Sequence, residues 1–271
     1  MGLRLHAVPA NRGAWWIRAA LALWWKRPMA FVGLFMFFLF GVLMLMMLPL
    51  VGPLLGLGLV PMLTLGFMIA SQSALQGGPV HALQMFEGLR VPDKPRRNAQ
   101  LMLCAIYALA SIGVIELAAW VDEGLFEQLQ IAMATPATTS KAVQALLNDP
   151  RLANGMAVRL VAATLLSIPF WHAPALVHWG HQGAGQALFS STMALWRAKG
   201  AFALYAFGWA MLSLGMGLLA TAAVLLLGSG QWISVLIMPA GLTLSTVFYV
   251  SLWFGFADSF GEEVVTPPAQ P

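Results

Sequence analysis

The amino-acid sequence predicts an all-α fold: a polytopic transmembrane helical bundle of six spans, with amphipathic interfacial helices on the cytoplasmic face. No Asp, Glu, Lys or Arg occurs between Arg27 and Glu87, and none occurs between Lys199 and Asp258. A bilayer core about 30 Å thick is crossed by roughly 20 apolar residues of helix, so each stretch holds two crossings and a turn. The chain is 60% hydrophobic and 9% charged, whereas a typical soluble domain is about 25% charged. The apolar excess therefore has to face lipid.

Six spans are predicted within a single transmembrane domain, residues 1–271. Their approximate bounds are residues 29–48, 54–75, 99–121, 154–177, 201–227 and 231–257. Proline and glycine mark the tight turns inside the first and last pairs of spans, as is usual for turns. The connection between the third and fourth spans, residues 122–153, is predicted to be an external loop. Apolar residues at helical spacing predict two short helices in it, lying on the outer face.

The orientation follows from the distribution of Lys and Arg. Eleven of these residues fall on the side that receives the N-terminus and the 76–98 and 178–200 segments, and two fall on the opposite side. Cytoplasmic loops carry an excess of Lys and Arg, so both termini are predicted to be cytoplasmic.

Segments on the predicted cytoplasmic side are amphipathic rather than plain loops. Residues 12–27, 79–90 and 185–199 each place apolar side chains on one arc of a helix and polar side chains on another. Helices of this kind lie flat in the membrane interface, where Trp and cationic side chains anchor them. The predicted anchors are Trp15, Trp16, Trp24, Trp25, Trp196, Arg197 and Lys199. An interfacial helix followed by two spans, three times over, suggests an internal repeat.

Glu116 and Arg159 are the charged residues well inside the predicted spans. Charged side chains are costly in the membrane and usually have a partner or a function. Both residues lie about 7 Å from the outer ends of consecutive antiparallel spans, at about 1.5 Å per residue. The sequence therefore predicts an intramembrane ion pair between them, with a structural role.

Three histidines near the end of the fourth span are the candidate ligands of a metal ion or haem. His178 and His181 are three residues apart and would share a helix face, whereas His172 lies six residues before His178. A metal site needs several converging ligands. Interfacial histidines beside Trp171 and Trp179 explain the pattern more simply. We therefore predict no metal and no cofactor.

No phosphate-binding glycine loop, nucleophile elbow or HExxH sequence occurs in the chain, so no enzyme activity is expected. The leading hypothesis is a scaffold, assembly or membrane-organising protein. Its partners would be the lipid bilayer and a membrane protein or a second copy of the chain. The basic residues flank apolar spans and act as topology signals, so the isoelectric point near 9.6 does not indicate nucleic acid.

Two alternative functions stay open. Prolines within four spans are compatible with a small transporter or channel, whose substrate sites lie near the bilayer midplane between broken helices. Such a protein would have a continuous polar cavity lined by Thr64, Ser71, Gln72, Thr243 and Ser245. The other alternative is a haem- or metal-dependent membrane enzyme that uses the three histidines.

Short motifs in the chain resemble a known group of sequences. They are residues 170–177 (FWHAPALV), Ala187-Leu188, Ser190-Ser191, Gly66-Phe67-Met68 and residues 86–90 (FEGLR). With these motifs the chain resembles an uncharacterised family of six-span inner-membrane proteins of proteobacteria, mainly of the beta class. The resemblance covers most of the chain except the external loop. It implies a multi-pass protein of the bacterial inner membrane and no established activity.

Overall fold

The structure, a computed structural model, describes residues 3–135, 140–227 and 231–261, and their side chains except those of residues 140, 224–227 and 231–237. The predicted all-α class is confirmed. The helices are α1 (Arg12–Lys26), α2 (Pro28–Met46), α3 (Gly52–Gly58), α4 (Val60–Leu75), a 3-10 helix (Ala82–Phe86), α5 (Glu87–Arg90), α6 (Lys94–Asp122), α7 (Leu125–Ala134), α8 (Ser140–Leu147), α9 (Pro150–Phe170), α10 (Ala173–Gly180), α11 (Ala184–Arg197), α12 (Lys199–Leu227) and α13 (Gln231–Phe260).

Six helical stretches in the described residues are long and apolar enough to cross a membrane, which confirms the predicted number of spans. They are Pro28–Met46, Gly52–Leu75, Lys94–Asp122, Pro150–Gly180, Lys199–Ala223 and Met238–Phe260. The predicted turn at residues 228–230 lies outside the described residues. We call the side on which α2, α6 and α12 begin the basic face, because it carries eleven of the Lys and Arg residues.

The 122–153 connection contains the two predicted short helices, α7 and α8. Leu125 and Leu129 of α7 are buried and form a small apolar cluster with Leu152 at the start of α9. Met133, which shares their helical spacing, is 71% exposed. The connection is therefore held against the end of the bundle by its first turns.

Helix α1 packs into the bundle along one face, which consists of Gly13, Trp16, Ile17, Ala20 and Leu23. The sequence pattern places Leu21 on the apolar arc together with Ile17 and Trp24, but Leu21 is 40% exposed, so the buried face differs from that arc. Trp16 is 1% exposed and belongs to the main core cluster. Burial against the spans thus determines the position of α1.

Both ends of α1 contact the basic face. Arg12 at its first turn pairs with Asp258 near the end of α13. Arg27, just after its last turn, donates hydrogen bonds to the carbonyl groups of Gly77 and Gly78 beyond α4. Because both contacts lie at ends of spans on one side of the bundle, α1 lies across the basic face.

The segment that links α4 to α6 folds inward rather than forming one amphipathic helix. It consists of the 3-10 helix and α5. Met85 of this segment is buried against Gly66, where an added Cβ would lie 2.7 Å from the Met85 sulfur. The sequence pattern places Gln84 on the polar arc of residues 79–90. This prediction is wrong, because Gln84 is 5% exposed while Leu83 is 54% exposed.

Candidate functional site at the basic face and the bundle centre

The strongest polar network of the basic face joins α1 to α13. The Nε and Nη2 atoms of Arg12 donate to the two carboxylate oxygens of Asp258, each at 2.7 Å. The indole Nε1 of Trp16 donates to the same carboxylate at 2.7 Å. The Arg12 guanidinium also stacks 3.8 Å from the ring centre of Trp15. Bidentate charged hydrogen bonds of this kind fix orientation as well as add energy.

The predicted interfacial anchors separate into three groups: exposed, buried and half-buried. Trp25 and Trp196 are 77% and 70% exposed, and Arg197 and Lys199 are also exposed. Trp16 is a core residue, so its assignment as an anchor is wrong: its indole nitrogen binds Asp258 instead of the membrane interface. The remaining two, Trp15 and Trp24, are half-buried.

Helix α11 presents two opposite faces. Small side chains pack against the bundle, and they are Ala184, Ala187, Ser191 and Ala194. On the opposite side Phe189 is 66% exposed and Met193 is 36% exposed, next to the exposed Trp196. The Lys199 amine lies 5.6 Å from the ring centre of Trp196. We call Phe189, Met193 and Trp196 the apolar ridge of α11.

Ser191 connects α11 to the break in the fourth span. Its Oγ accepts a hydrogen bond from the backbone N–H of His172 at 3.0 Å and donates to the carbonyl of Ile168 at 3.1 Å. In a continuous helix the His172 N–H would bond that carbonyl directly. A side chain inserted into the helical hydrogen-bond ladder is a recognised cause of a kink. Ser191 therefore stabilises the junction between α9 and α10.

The imidazole of His172 is fully buried among aromatic rings. Its ring centre lies 5.8 Å from those of Phe202 and Phe256, and 5.6 Å from that of Phe260. Within the described residues neither ring nitrogen has a hydrogen-bond partner. The side chain fills a gap between α10, α12 and α13.

The other two histidines lie at the end of α10 and point elsewhere. His178 packs edge-on against Trp179 at 5.0 Å. Nε2 of His181 lies 3.4 Å from Nη1 of Arg96, whose guanidinium also donates to the His178 carbonyl at 2.9 Å. The three histidines thus do not converge, and no group of three or more His, Cys, Asp or Glu within the described residues could hold a metal ion.

The ion pair near the opposite face differs from the predicted one. Arg159 binds Asp122, with 2.5 Å between Nη1 and Oδ2, and its guanidinium stacks 4.4 Å from the ring centre of Phe126. Asp122 is fully buried and also accepts a hydrogen bond from the backbone N–H of Gly124 at 3.0 Å. Gly155 makes room for this carboxylate, because an added Cβ there would lie 2.6 Å from Oδ2.

Glu116 was the wrong partner because it lies on another face of α6. The face of α6 that packs into the bundle includes Ala118 and Asp122, which are fully buried. Glu116 precedes Ala118 by two residues and so lies about 200° from it around the helix. Its side chain is exposed. The side chain of Arg159, in contrast, is 19% exposed.

A cavity of about 130 Å³ lies where the middles of four spans meet. Its wall includes the side chains of Thr64, Tyr107, Ser167 and Tyr249, each of which carries a hydroxyl group. Pro61, near the start of α4, lies beside it. Of the five polar residues expected to line a transport cavity, only Thr64 is among its lining residues. The volume is enough for several water molecules, since one needs about 10–15 Å³.

Comparisons with known proteins agree with this membrane architecture. The chain is 28% identical over 273 residues to a probable inner membrane protein of Burkholderia thailandensis, a betaproteobacterium, and the match covers 99% of this chain and 98% of the relative. This chain is a multi-pass inner membrane protein. No family model and no solved structure matches it. The relative agrees with the expected betaproteobacterial class, while membership of the family named above stays a prediction.

Sequence reasoning did not find Asp122 and Ser191 as partners in buried polar contacts of this membrane protein. Both lie on helix faces that contain small residues, with Ala118 near Asp122 and Ala187 near Ser191. Small residues mark the contact faces of membrane helices, because they let backbones approach closely. That pattern was the signal available in the sequence.

Proposed function

We propose that this chain is a non-enzymatic, membrane-organising protein that acts through its basic face, which we place in the cytoplasm. The observation that supports the proposal is the geometry of α11. Its small face packs on the bundle, its apolar ridge is exposed, and Arg197 and Lys199 follow directly. Helices with this pattern lie in the interface, with apolar side chains among the acyl chains and cations among the headgroups.

Helix α1 extends the same surface. Trp25 is its most exposed aromatic side chain, and Arg18 and Lys26 are exposed near it. The Arg12–Asp258 pair fixes α1 to α13, and Ser191 fixes α11 to the fourth span. Both helices are therefore held rigidly, so the surface is a preformed platform rather than a pair of tethered segments.

The platform would gather anionic phospholipids around the protein. Each Lys or Arg near a negatively charged leaflet contributes about 1 kcal/mol of attraction. The exposed cations Arg18, Lys26, Arg197 and Lys199 would thus enrich these lipids locally. A membrane-protein partner or a second copy of the chain would then dock against the exposed apolar side chains of the spans.

The lipid shell of the protein tests this proposal. Protein extracted from one bacterial membrane in polymer-bounded discs, without detergent, should carry more phosphatidylglycerol relative to phosphatidylethanolamine than the bulk membrane does. The triple variant W196A/R197Q/K199Q should lose most of that enrichment. The matched control K141Q removes a cation on the opposite face and should keep it. An unchanged lipid ratio in the triple variant would contradict the proposal.

Transport is the second candidate, and the central cavity favours it. Four side chains with hydroxyl groups line this space near the middle of several spans, together with apolar and aromatic residues and a proline at the start of α4. Substrate sites of transporters lie at such places. The purified protein in liposomes should then conduct protons or small cations, and the double variant T64V/Y249F should reduce the flux. Equal flux in protein-free liposomes would rule this function out for those ions.

A further inference from the structure

We propose that a groove between α3 and α6 binds an acyl chain of an anionic phospholipid whose headgroup lies at the basic face. The groove has a volume of about 410 Å³ and apolar walls. Its lining includes Leu55, Gly58, Met62, Leu101, Ala105 and Leu109. Leu101 and Leu109 are 48% and 65% exposed, so the groove opens toward lipid.

The dimensions of the groove fit one leaflet. Leu101 and Leu109, both on α6, are separated by about 12 Å at 1.5 Å per residue. One leaflet contributes about 15 Å to the hydrocarbon core. Small residues form the floor, because a Cβ added to Gly58 would lie 3.5 Å from the Cys104 carbonyl oxygen and 3.8 Å from Cβ of Ala108. A flexible chain can therefore lie along α6 with little rearrangement of the protein.

Cations stand at the end of the groove that reaches the basic face. Lys94 and Arg97 precede Leu101 by seven and four residues, so they continue the same row of side chains along α6. Arg90 directly follows Leu89, which lines the groove. All three are exposed, and in the described part of the chain none of them forms an ion pair.

The acidic residues nearby do not form ion pairs with this cluster. Asp93 is bound to Arg96 at 3.2 Å. Glu87 precedes Arg90 by three residues on α5, but it forms no ion pair among the described residues. Three free cations at the mouth of an apolar groove complement a phosphate group above an acyl chain, and Arg is well suited to bind phosphate through paired N–H groups. This charge pattern selects an anionic phospholipid over a zwitterionic one.

The site lies on α3, α5 and α6, whereas the platform of the proposed function lies on α1 and α11. A result that contradicts one of the two proposals therefore does not contradict the other. The probe is phosphatidylglycerol with a photoreactive diazirine in one acyl chain, added to full-length protein in phosphatidylcholine liposomes. After illumination, mass spectrometry of peptides should locate the cross-links within residues 101–109. Phosphatidylcholine with the same diazirine chain serves as the headgroup control.

One variant tests the cations at the headgroup, and another tests the groove for the acyl chain. R90Q/R97Q should lower cross-linking by phosphatidylglycerol about thirtyfold, because two surface cations at about 1 kcal/mol each together contribute about 2 kcal/mol. A105F should block the groove and abolish cross-linking at residues 101–109, with A105L as the milder replacement if A105F does not fold. K141Q and W196A/R197Q/K199Q should leave cross-linking by phosphatidylglycerol unchanged.

Three results would overturn the assignment. Equal cross-linking by the phosphatidylcholine probe would remove the headgroup selectivity. Undiminished cross-linking in folded A105F or A105L would show that the chain lies elsewhere. Undiminished cross-linking in R90Q/R97Q would show that these cations do not hold the headgroup.

Discussion

Gly13 determines how closely α1 approaches α12. A Cβ added at this position would overlap the Ala201 carbonyl oxygen and lie 2.8 Å from the Tyr205 backbone nitrogen. Backbone atoms cannot move aside as a flexible side chain can. Overpacking costs roughly 1–3 kcal/mol, and we expect G13A to lower the free energy of unfolding by at least this much. G33A is the control, because nothing lies within 4 Å of its added Cβ. Thermal unfolding in detergent measures both, and equal midpoints would contradict the close crossing.

Asp122 and Arg159 give a second prediction for single residues. Removing either charge leaves the other without its partner. An unpaired charge at a helix centre costs roughly 2.5–3.5 kcal/mol on insertion scales, and less toward the interface. We expect D122N and R159Q each to lower the amount of folded protein, and the double variant to lose less than the sum of the two. E116Q should have no effect. Additive losses, or a loss in E116Q as large as in D122N, would contradict the observed pair.

The same pair shows what depth along a helix can and cannot predict. Counting residues placed Arg159 and Glu116 at similar levels, and Arg159 does need a carboxylate there. The partner was missed because depth does not specify the side of the helix. Asp122 lies at the end of α6, and Arg159 reaches it because helical side chains incline toward the helix N-terminus, which for α9 is the opposite face.

At the scale of the elements, the fourth span depends on a residue from a different helix. S191A would leave the His172 N–H and the Ile168 carbonyl without the hydroxyl that now bridges them. An unsatisfied buried group costs about 1–3 kcal/mol, so S191A should be clearly destabilised. S190A is the matched control, because no hydrogen bond of the Ser190 side chain is present among the described residues. Unfolding midpoints compare the two, and equal midpoints would refute the bridging role.

Amphipathic patterns predicted helices at residues 12–27 and 185–199, where α1 and α11 occur, but not the faces that these helices bury. In α11 the bulky apolar side chains of Phe189, Met193 and Trp196 are exposed, and the small residues are buried. The physical reason is that lipid is itself apolar. In a membrane a Phe or Met on the surface gains as much from acyl chains as from the protein interior, whereas close packing requires small residues.

At the scale of the whole molecule, the number of spans was predictable because long stretches without charge have few alternatives. The position of α1 was not predictable to the same degree. Trp and Arg near a span are typical of the membrane interface, and nothing local distinguishes Trp16 from Trp15. Only the fold brings Asp258, almost the whole chain length away, to the indole of Trp16.

The last prediction concerns the orientation of the bundle. With six spans, both termini lie on one side, and eleven Lys and Arg residues share that side with them. The translocation machinery retains such segments in the cytoplasm. Alkaline phosphatase is active only outside the cytoplasm, so fusions after Gly77 and after the C-terminus should be inactive, while a fusion after Lys141 should be active. Green fluorescent protein should give the reverse pattern. Phosphatase activity at the C-terminus would require an odd number of crossings or an inverted bundle, and either would contradict six spans with cytoplasmic termini.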